Sequence, residues 1–251
     1  MTASLPSYYS RLKPFRHLFA GGVPILTYHK FGRPPRGARL RGLHLPPRLL
    51  QKQIRELHND DYRTGAPAEA SRDDGNRDVV VLTIDDGFRS VLELALPVLE
   101  RAGAMATLYL VAGRLGGEND WEIAQGELAE RLMSVEEVKE WIAAGQRIGS
   151  HTLTHPWLTR VPVESAREEI RASRQRLEDT FGVEVTDFCY PYGDWNVVVR
   201  DEVEAAGYRT ATTTDFGVNK PGADPLALRR VTARRPSWGW RAIRQWWRRR
   251  G

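Results

Sequence analysis

A chain of 251 residues with 41% hydrophobic content and eight tryptophans can bury one full core, and no apolar run approaches the ~18 residues a membrane-crossing helix needs. Its single cysteine, Cys189, excludes an internal disulfide, suits a reducing compartment and reads as a small buried filler. The net charge of +5 is unevenly spread: residues 1–55 hold 11 Lys or Arg and no acid, residues 229–251 hold nine Arg and no acid, and 17 basic residues face all 32 acids in between. Such basic ends suit an anionic membrane surface, an anionic glycan or a lipid-linked substrate, or else plain solvation. Without a recognition motif they do not point to nucleic acid. Arg11, Lys13 and Arg16 are followed by neither an apolar core nor a cleavage site, so the expectation is no secretory signal and a cytoplasmic location, with peripheral attachment to the inner face of the cell membrane as a variant.

In chain order, residues 23–29 read as a strand and 46–58 as a helix opened by Pro46-Pro47. Val79 to Ile84 is a near-continuous apolar run, as a strand covered on both faces should be. A helix over 90–102 closed by Gly103 and a strand over 106–111 follow. Ser134 and Glu137 form a capping box that opens a helix ending at Gly145. Next come a strand over 147–150, a helix over 164–181 closed by Gly182, a strand over 187–190, a helix over 197–206 closed by Gly207, and strands over 209–213 and 228–232. This alternation predicts an α/β fold of parallel strands joined by right-handed crossovers. Two stretches fall outside it, 32–47 and 113–131, and both follow strands, where a barrel builds its substrate cleft.

Two motifs carry chemistry. Thr83-Ile84-Asp85-Asp86-Gly87 puts adjacent carboxylates at the end of an apolar run, and His151-Thr152-Leu153-Thr154-His155 puts two imidazoles four residues apart after another strand. Alone, Asp-Asp-Gly is more often a turn, and His-x-x-x-His occurs by chance on many helices. Together they offer one carboxylate and two imidazoles as an open ligand set for a divalent metal, with the second carboxylate free to take a proton from a water.

The chain resembles the polysaccharide deacetylase family, carbohydrate esterases that share the NodB homology domain. The family's first two motifs match the stretches above, and its third matches Cys189-Tyr190-Pro191-Tyr192-Gly193. The resemblance implies a distorted (β/α) barrel with about seven parallel strands. It also implies Asp85 as general base, Asp86, His151 and His155 as metal ligands, and the Tyr192 N–H as an oxyanion donor. It divides the chain into a basic leader, 1–22, a deacetylase domain, 23–232, and an Arg/Trp-rich tail, 233–251, that reads as a helix with membrane docking or core packing as its alternatives. The implied substrate is an N-acetylhexosamine glycan, oligosaccharide or lipid-linked sugar, with Pro191, Trp121 and Arg230 as candidate binding residues.

Zinc fits an Asp-His-His set, and cobalt, nickel or manganese would also bind. Three departures qualify the match. Cys189 stands where the family often has an Arg that holds the base. The fourth motif has no equivalent closer than Thr212 to Phe216. The fifth motif's acidic His is missing, since no His follows His155. Leu228-Arg229-Arg230-Val231 and Tyr28-His29 instead resemble a divergent branch that includes biofilm-polysaccharide deacetylases. His29 is then the remaining candidate acid, its alternative being a hydrogen-bonded structural histidine. A related amidohydrolase, an O-acetyl esterase, or a non-catalytic glycan- or membrane-binding relative are the other readings.

Overall fold

The computed structural model describes residues 5–72 and 78–234. Seven strands form a closed parallel barrel: β1 (Ile25–Tyr28), β2 (Val79–Ile84), β3 (Thr107–Leu110), β4 (Arg147–Ser150), β5 (Asp187–Cys189), β6 (Thr210–Phe216) and β7 (Leu228–Thr232). They stand in sequence order around the barrel, and β1 closes it by pairing with both β7 (Leu26 opposite Val231) and β2 (Leu26 opposite Leu82). All six residues of β2 are buried, because barrel interior and helical layer cover its two faces.

The outer layer is α1 (Pro47–His58), α2 (Leu96–Ala102), α3 (Val135–Ala143), α4 (Val163–Phe181) and α5 (Val197–Ala205). The capping box at α3 forms as expected, Glu137 N–H donating to Ser134 Oγ at 3.3 Å and Ser134 N–H to Glu137 Oε2 at 2.9 Å. The helix expected over 90–102 is divided: Val91–Ala95 is a π-turn and the α-helix starts at Leu96. Pro97 explains this, since its ring has no N–H to give and crowds the carbonyl four residues back, so the preceding turn widens.

The barrel is distorted where Arg63–Gly65, a short strand not expected from the sequence, pairs with Val79 to Val81 on the edge that β3 takes up from Thr83 onward. The β6–β7 register also slips between Leu228 and Arg230.

The segment read as a basic leader is not set apart from the barrel. Tyr9 N–H donates to Thr232 O at 2.9 Å and Arg234 N–H to Tyr9 O at 3.1 Å, which ties the segment to the end of β7. Tyr9, Leu12, Phe15 and Phe19 are buried in the main core, with the Tyr9 and Phe19 rings 5.7 Å apart. The intervening basic residues hid a three-to-four-residue apolar spacing that buries one face of the segment. The tail expected to be helical, 233–251, lies outside the described residues from 235 onward. Among the described residues no helix is long and apolar enough to cross a membrane.

Candidate active site

The chemistry-bearing residues meet at the C-terminal ends of the strands. His29 follows β1, Asp85 and Asp86 follow β2, His151 follows β4, and Tyr190 to Gly193 follow β5. Of these, His29, Asp85, Asp86, His151, Tyr190 and Tyr192 line a cavity of about 310 Å³, together with His155, Trp121, Glu122, Gln125, Arg39, Leu40 and Leu43. Five non-glycine residues have left-handed backbone among the described residues, and four of them, Asp86, Thr152, His155 and Tyr192, belong to these loops. Such strain persists where surrounding structure over-determines a conformation, and here it aims side chains inward.

Asp86 Oδ1 lies 3.5 Å from His151 Nε2 and 3.4 Å from His155 Nε2, and all three residues are buried. Ligands about 2.0–2.1 Å from a tetrahedral metal stand roughly 3.4 Å apart, so these are the edge lengths of a ligand set. His151 Nδ1–H donates to Cys189 O at 2.7 Å, which fixes the ring and leaves the Nε2 lone pair toward the other two donors. His155 Nδ1 is buried with no hydrogen-bond partner among the described residues. Its ring is instead clamped by stacking on Trp121, centroids 4.7 Å apart, and by the edge-on Tyr192 ring at 4.5 Å. Burial opposes charge on Asp86, yet the neighbouring His151, His155 and His29 imidazoles hold its carboxyl well below the usual carboxylate range. The donor set therefore fits a divalent metal.

A second cluster, Asp85, His151 and Cys189, also has the composition of a ligand set. It is a poor one: both Asp85 oxygens and the Cys189 sulfur already face the Arg230 guanidinium. A cation placed there would stand against a fixed positive charge.

Arg230 is corrected from a substrate-binding residue to the holder of Asp85. Its Nη1 and Nη2 donate to Asp85 Oδ1 and Oδ2, each at 2.8 Å. Nε donates to Thr213 O at 2.6 Å, Nη1 also reaches Thr83 Oγ1 at 3.2 Å, and Nη2 reaches Cys189 Sγ at 3.2 Å. All five donors of the guanidinium are thus engaged, and none is left for a substrate. Position 189 carries Cys and not Arg, and the guanidinium that holds Asp85 comes from β7, in contact with the Cys189 sulfur. Burial works against the Asp85 charge, but Arg230 and then His29 hold its carboxyl below the usual range.

Replacing Arg230 by Met should strip a buried carboxylate of its counter-charge and cost about 3–5 kcal/mol of unfolding free energy. Urea unfolding of the metal-free protein measures this. Arg230→Lys should recover only part of the loss, since an ammonium cannot span both oxygens.

The other candidates divide. Trp121 lines the cavity. Pro191 is buried and is not among the lining residues, its flanking tyrosines taking that place; it shapes the turn rather than touching a substrate. The turn needs Gly193, at φ 71°, where a Cβ would run into Thr214 Oγ1. The Tyr192 N–H has no backbone acceptor among the described residues. Its ring stacks on Trp157 at 4.0 Å, and its hydroxyl accepts from Gln125 Nε2 at 3.0 Å. His29 Nε2 lies 3.7 Å from Asp85 Oδ2 at the cavity wall, and burial pushes the imidazole below its usual range against the pull of Asp85 and Asp86. Asp215, in the stretch nearest the fourth motif, is exposed and does not line the cavity.

Sequence reasoning missed a buried network around Glu122, which lines the cavity. The fully buried Lys30 Nζ donates to Glu122 Oε2 at 2.6 Å and to Glu130 Oε1 at 2.8 Å, above the Phe88 ring. Asn119 Nδ2 joins Glu122 at 2.6 Å. Glu127 likewise went unnoticed. Its carboxylate accepts from the Arg39, Leu40 and Leu128 N–H groups and ties the 32–47 loop over the cavity.

The polysaccharide deacetylase family model matches residues 72–211, more than half of the chain. YxkH of Bacillus subtilis, named for the same activity, is 27% identical over 214 residues, covering 83% of this chain and 70% of that protein. A chitooligosaccharide deacetylase of Rhizobium leguminosarum bv. trifolii is 26% identical over 171 residues, covering 67% of this chain and 71% of its own. The structure of IcaB from Ammonifex degensii superposes with a TM-score of 0.75 at 25% identity, over 90% of this chain and 97% of that one. The barrel, the motif positions and these likenesses agree, and the chain belongs to the polysaccharide deacetylase family.

Proposed function

We propose that this protein is a metal-dependent hydrolase that removes the N-acetyl group from an N-acetylhexosamine unit of a glycan. The observation that carries this reading is the Asp86–His151–His155 donor set with a separately held carboxylate, Asp85, beside it in one cavity. A divalent metal bound there, zinc best suiting two imidazoles and a carboxylate, supplies Lewis acidity to the acetyl carbonyl and the attacking water. Asp85 takes the water's proton; Arg230 fixes its plane and keeps it ionised. The Tyr192 N–H, presented by the strained Tyr-Gly turn, donates to the carbonyl oxygen as negative charge develops, and one such donor is worth about 3 kcal/mol. The chitooligosaccharide deacetylase relative supports an N-acetylglucosamine-type substrate. Acetate release from chitooligosaccharides by zinc-loaded protein, lost on chelation and restored by zinc, tests the reading. No release from any N-acetylhexosamine compound would overturn it.

His29 is the group placed to protonate the departing amine, since it lines the cavity next to the base and no other histidine outside the metal set does. His29→Ala should leave metal content intact and lower kcat by roughly 100-fold or more, as loss of a general acid does. The loss should shrink for aryl acetamides, whose leaving groups need less protonation. As the acid must be protonated to act and burial lowers its pKa, wild-type kcat should fall as pH rises through a point below the usual imidazole range, and His29→Ala should lack that limb. An unchanged pH profile would return His29 to a structural role.

A further inference from the structure

Inside the cavity each carboxylate outside the metal set is already answered. Asp85 has Arg230, Glu122 has Lys30, and Glu127 has three backbone N–H groups. The rim is different. Glu127 grips the Arg39 N–H at 2.9 Å but takes no bond from its guanidinium. Arg39 Nη1 donates instead to the Gln125 carbonyl at 2.6 Å, and the side chain lines the cavity.

Arg33, Arg36 and Arg41 stand exposed on the same loop, and none of the four has a carboxylate partner among the described residues. The loop contains no acid. Nor is it a loose excursion. The Lys30–Phe31 and His44–Leu45 strands pair at its base, Gly32 N–H donates to Leu45 O at 3.0 Å, and Glu127 ties down its crest. Arg234 packs beside it, 3.5 Å from where a Cβ on Gly42 would stand. Folding has therefore fixed four exposed guanidinium groups without carboxylate partners on one tethered loop, with Arg39 among the residues lining the cavity. An anion at that loop would supply the missing counter-charge.

We infer that the 32–47 loop recognises a phosphate carried by the substrate glycan, with Arg39 as the contact at the cavity mouth. The inference rests on the deacetylase reading and adds a substrate class to it. A planar guanidinium offers paired donors to phosphate oxygens. The cavity, at about 310 Å³, is at the small end for ligand sites, so an acetamido sugar that reaches the metal ligands leaves its substituents at the rim. The phosphate could join the sugar to a lipid or belong to a soluble glycosyl phosphate.

The test compares N-acetylglucosamine 1-phosphate with the neutral methyl N-acetylglucosaminide on the zinc-loaded protein. The phosphorylated sugar should show kcat/KM higher by about 10-fold or more, through KM, which is the scale of one charge-assisted hydrogen bond. The advantage should fade at ~0.5 M salt. Arg39→Ala should bring the kcat/KM ratio of the phosphorylated to the neutral sugar most of the way to one, and Arg36→Ala with Arg41→Ala should remove the remainder. A lipid-linked N-acetylglucosaminyl phosphate in neutral vesicles, run beside the soluble compound, identifies the source: the better substrate of the two names it.

Equal kcat/KM for the phosphorylated and neutral sugars, or a preference that survives all three arginine substitutions, would overturn the inference while leaving the deacetylase reading in place. If neither sugar releases acetate yet calorimetry shows Arg39-dependent binding of N-acetylglucosamine 1-phosphate, the deacetylase reading falls and the phosphate site stands.

Discussion

His151→Ala should leave a protein that folds, binds almost no zinc after dialysis and releases no measurable acetate. His151 gives one donor to the set and is fixed by its Nδ1–H bond to Cys189 O, so its loss removes a ligand and not merely an orienting contact. Loss of an outer-shell partner alone costs about 10–100-fold in metal affinity, and loss of the ligand should exceed that. Metal analysis of purified protein, with circular dichroism as a check on folding, measures it.

Two further variants locate the metal. His155→Ala should release it as His151→Ala does, whereas Cys189→Ser should retain it. The opposite pattern would place the ion in the Asp85–His151–Cys189 cluster, against the guanidinium of Arg230. Wild-type metal content and turnover in His151→Ala would remove the whole assignment.

What the sequence disclosed and what it hid follow one physical line. Asp85-Asp86-Gly87 and His151 to His155 could be read because each motif is local and sits where a recognisable strand stops. The β2, β4 and β7 boundaries match their sequence expectations, since alternation and apolar runs report burial directly. Long-range pairings left no such trace. Arg230 grips an aspartate 145 positions earlier, and Lys30 meets Glu122 across 92 positions. Nothing in either neighbourhood signals a partner, so Arg230 read as substrate-binding and Lys30 did not register.

The same blindness covered the N-terminal segment. Its apolar side chains matter only because β7 ends beside Tyr9. Glu127 shows a subtler limit: its role is to accept backbone N–H groups from a loop 87 residues away, and backbone donors carry no sequence signature.

Asp85→Asn should keep its zinc and lose about 100- to 10,000-fold in kcat, the range for removing a general base. KM should change little, because Asp85 is placed to act on the water and not on the sugar. A stability effect accompanies this and must be separated from the chemistry. In the wild type both Asp85 oxygens neutralise Arg230, and both residues are almost wholly buried. An amide leaves the guanidinium without a counter-charge, so unfolding free energy should fall by several kcal/mol even as the hydrogen-bonding shape is nearly preserved.

The double variant Asp85→Asn with Arg230→Met resolves the two effects. It removes the stranded charge, so its stability should exceed that of either single variant, a coupling expected of residues in direct contact. Its turnover should stay at the Asp85→Asn level, because no proton acceptor has been restored. If turnover instead recovered along with stability, Asp85 would be a structural partner of Arg230 and the base would have to be sought elsewhere in the cavity. If zinc were lost from Asp85→Asn while the fold held, Asp85 would be a ligand, and the division of labour between the adjacent aspartates would be the reverse of the one proposed.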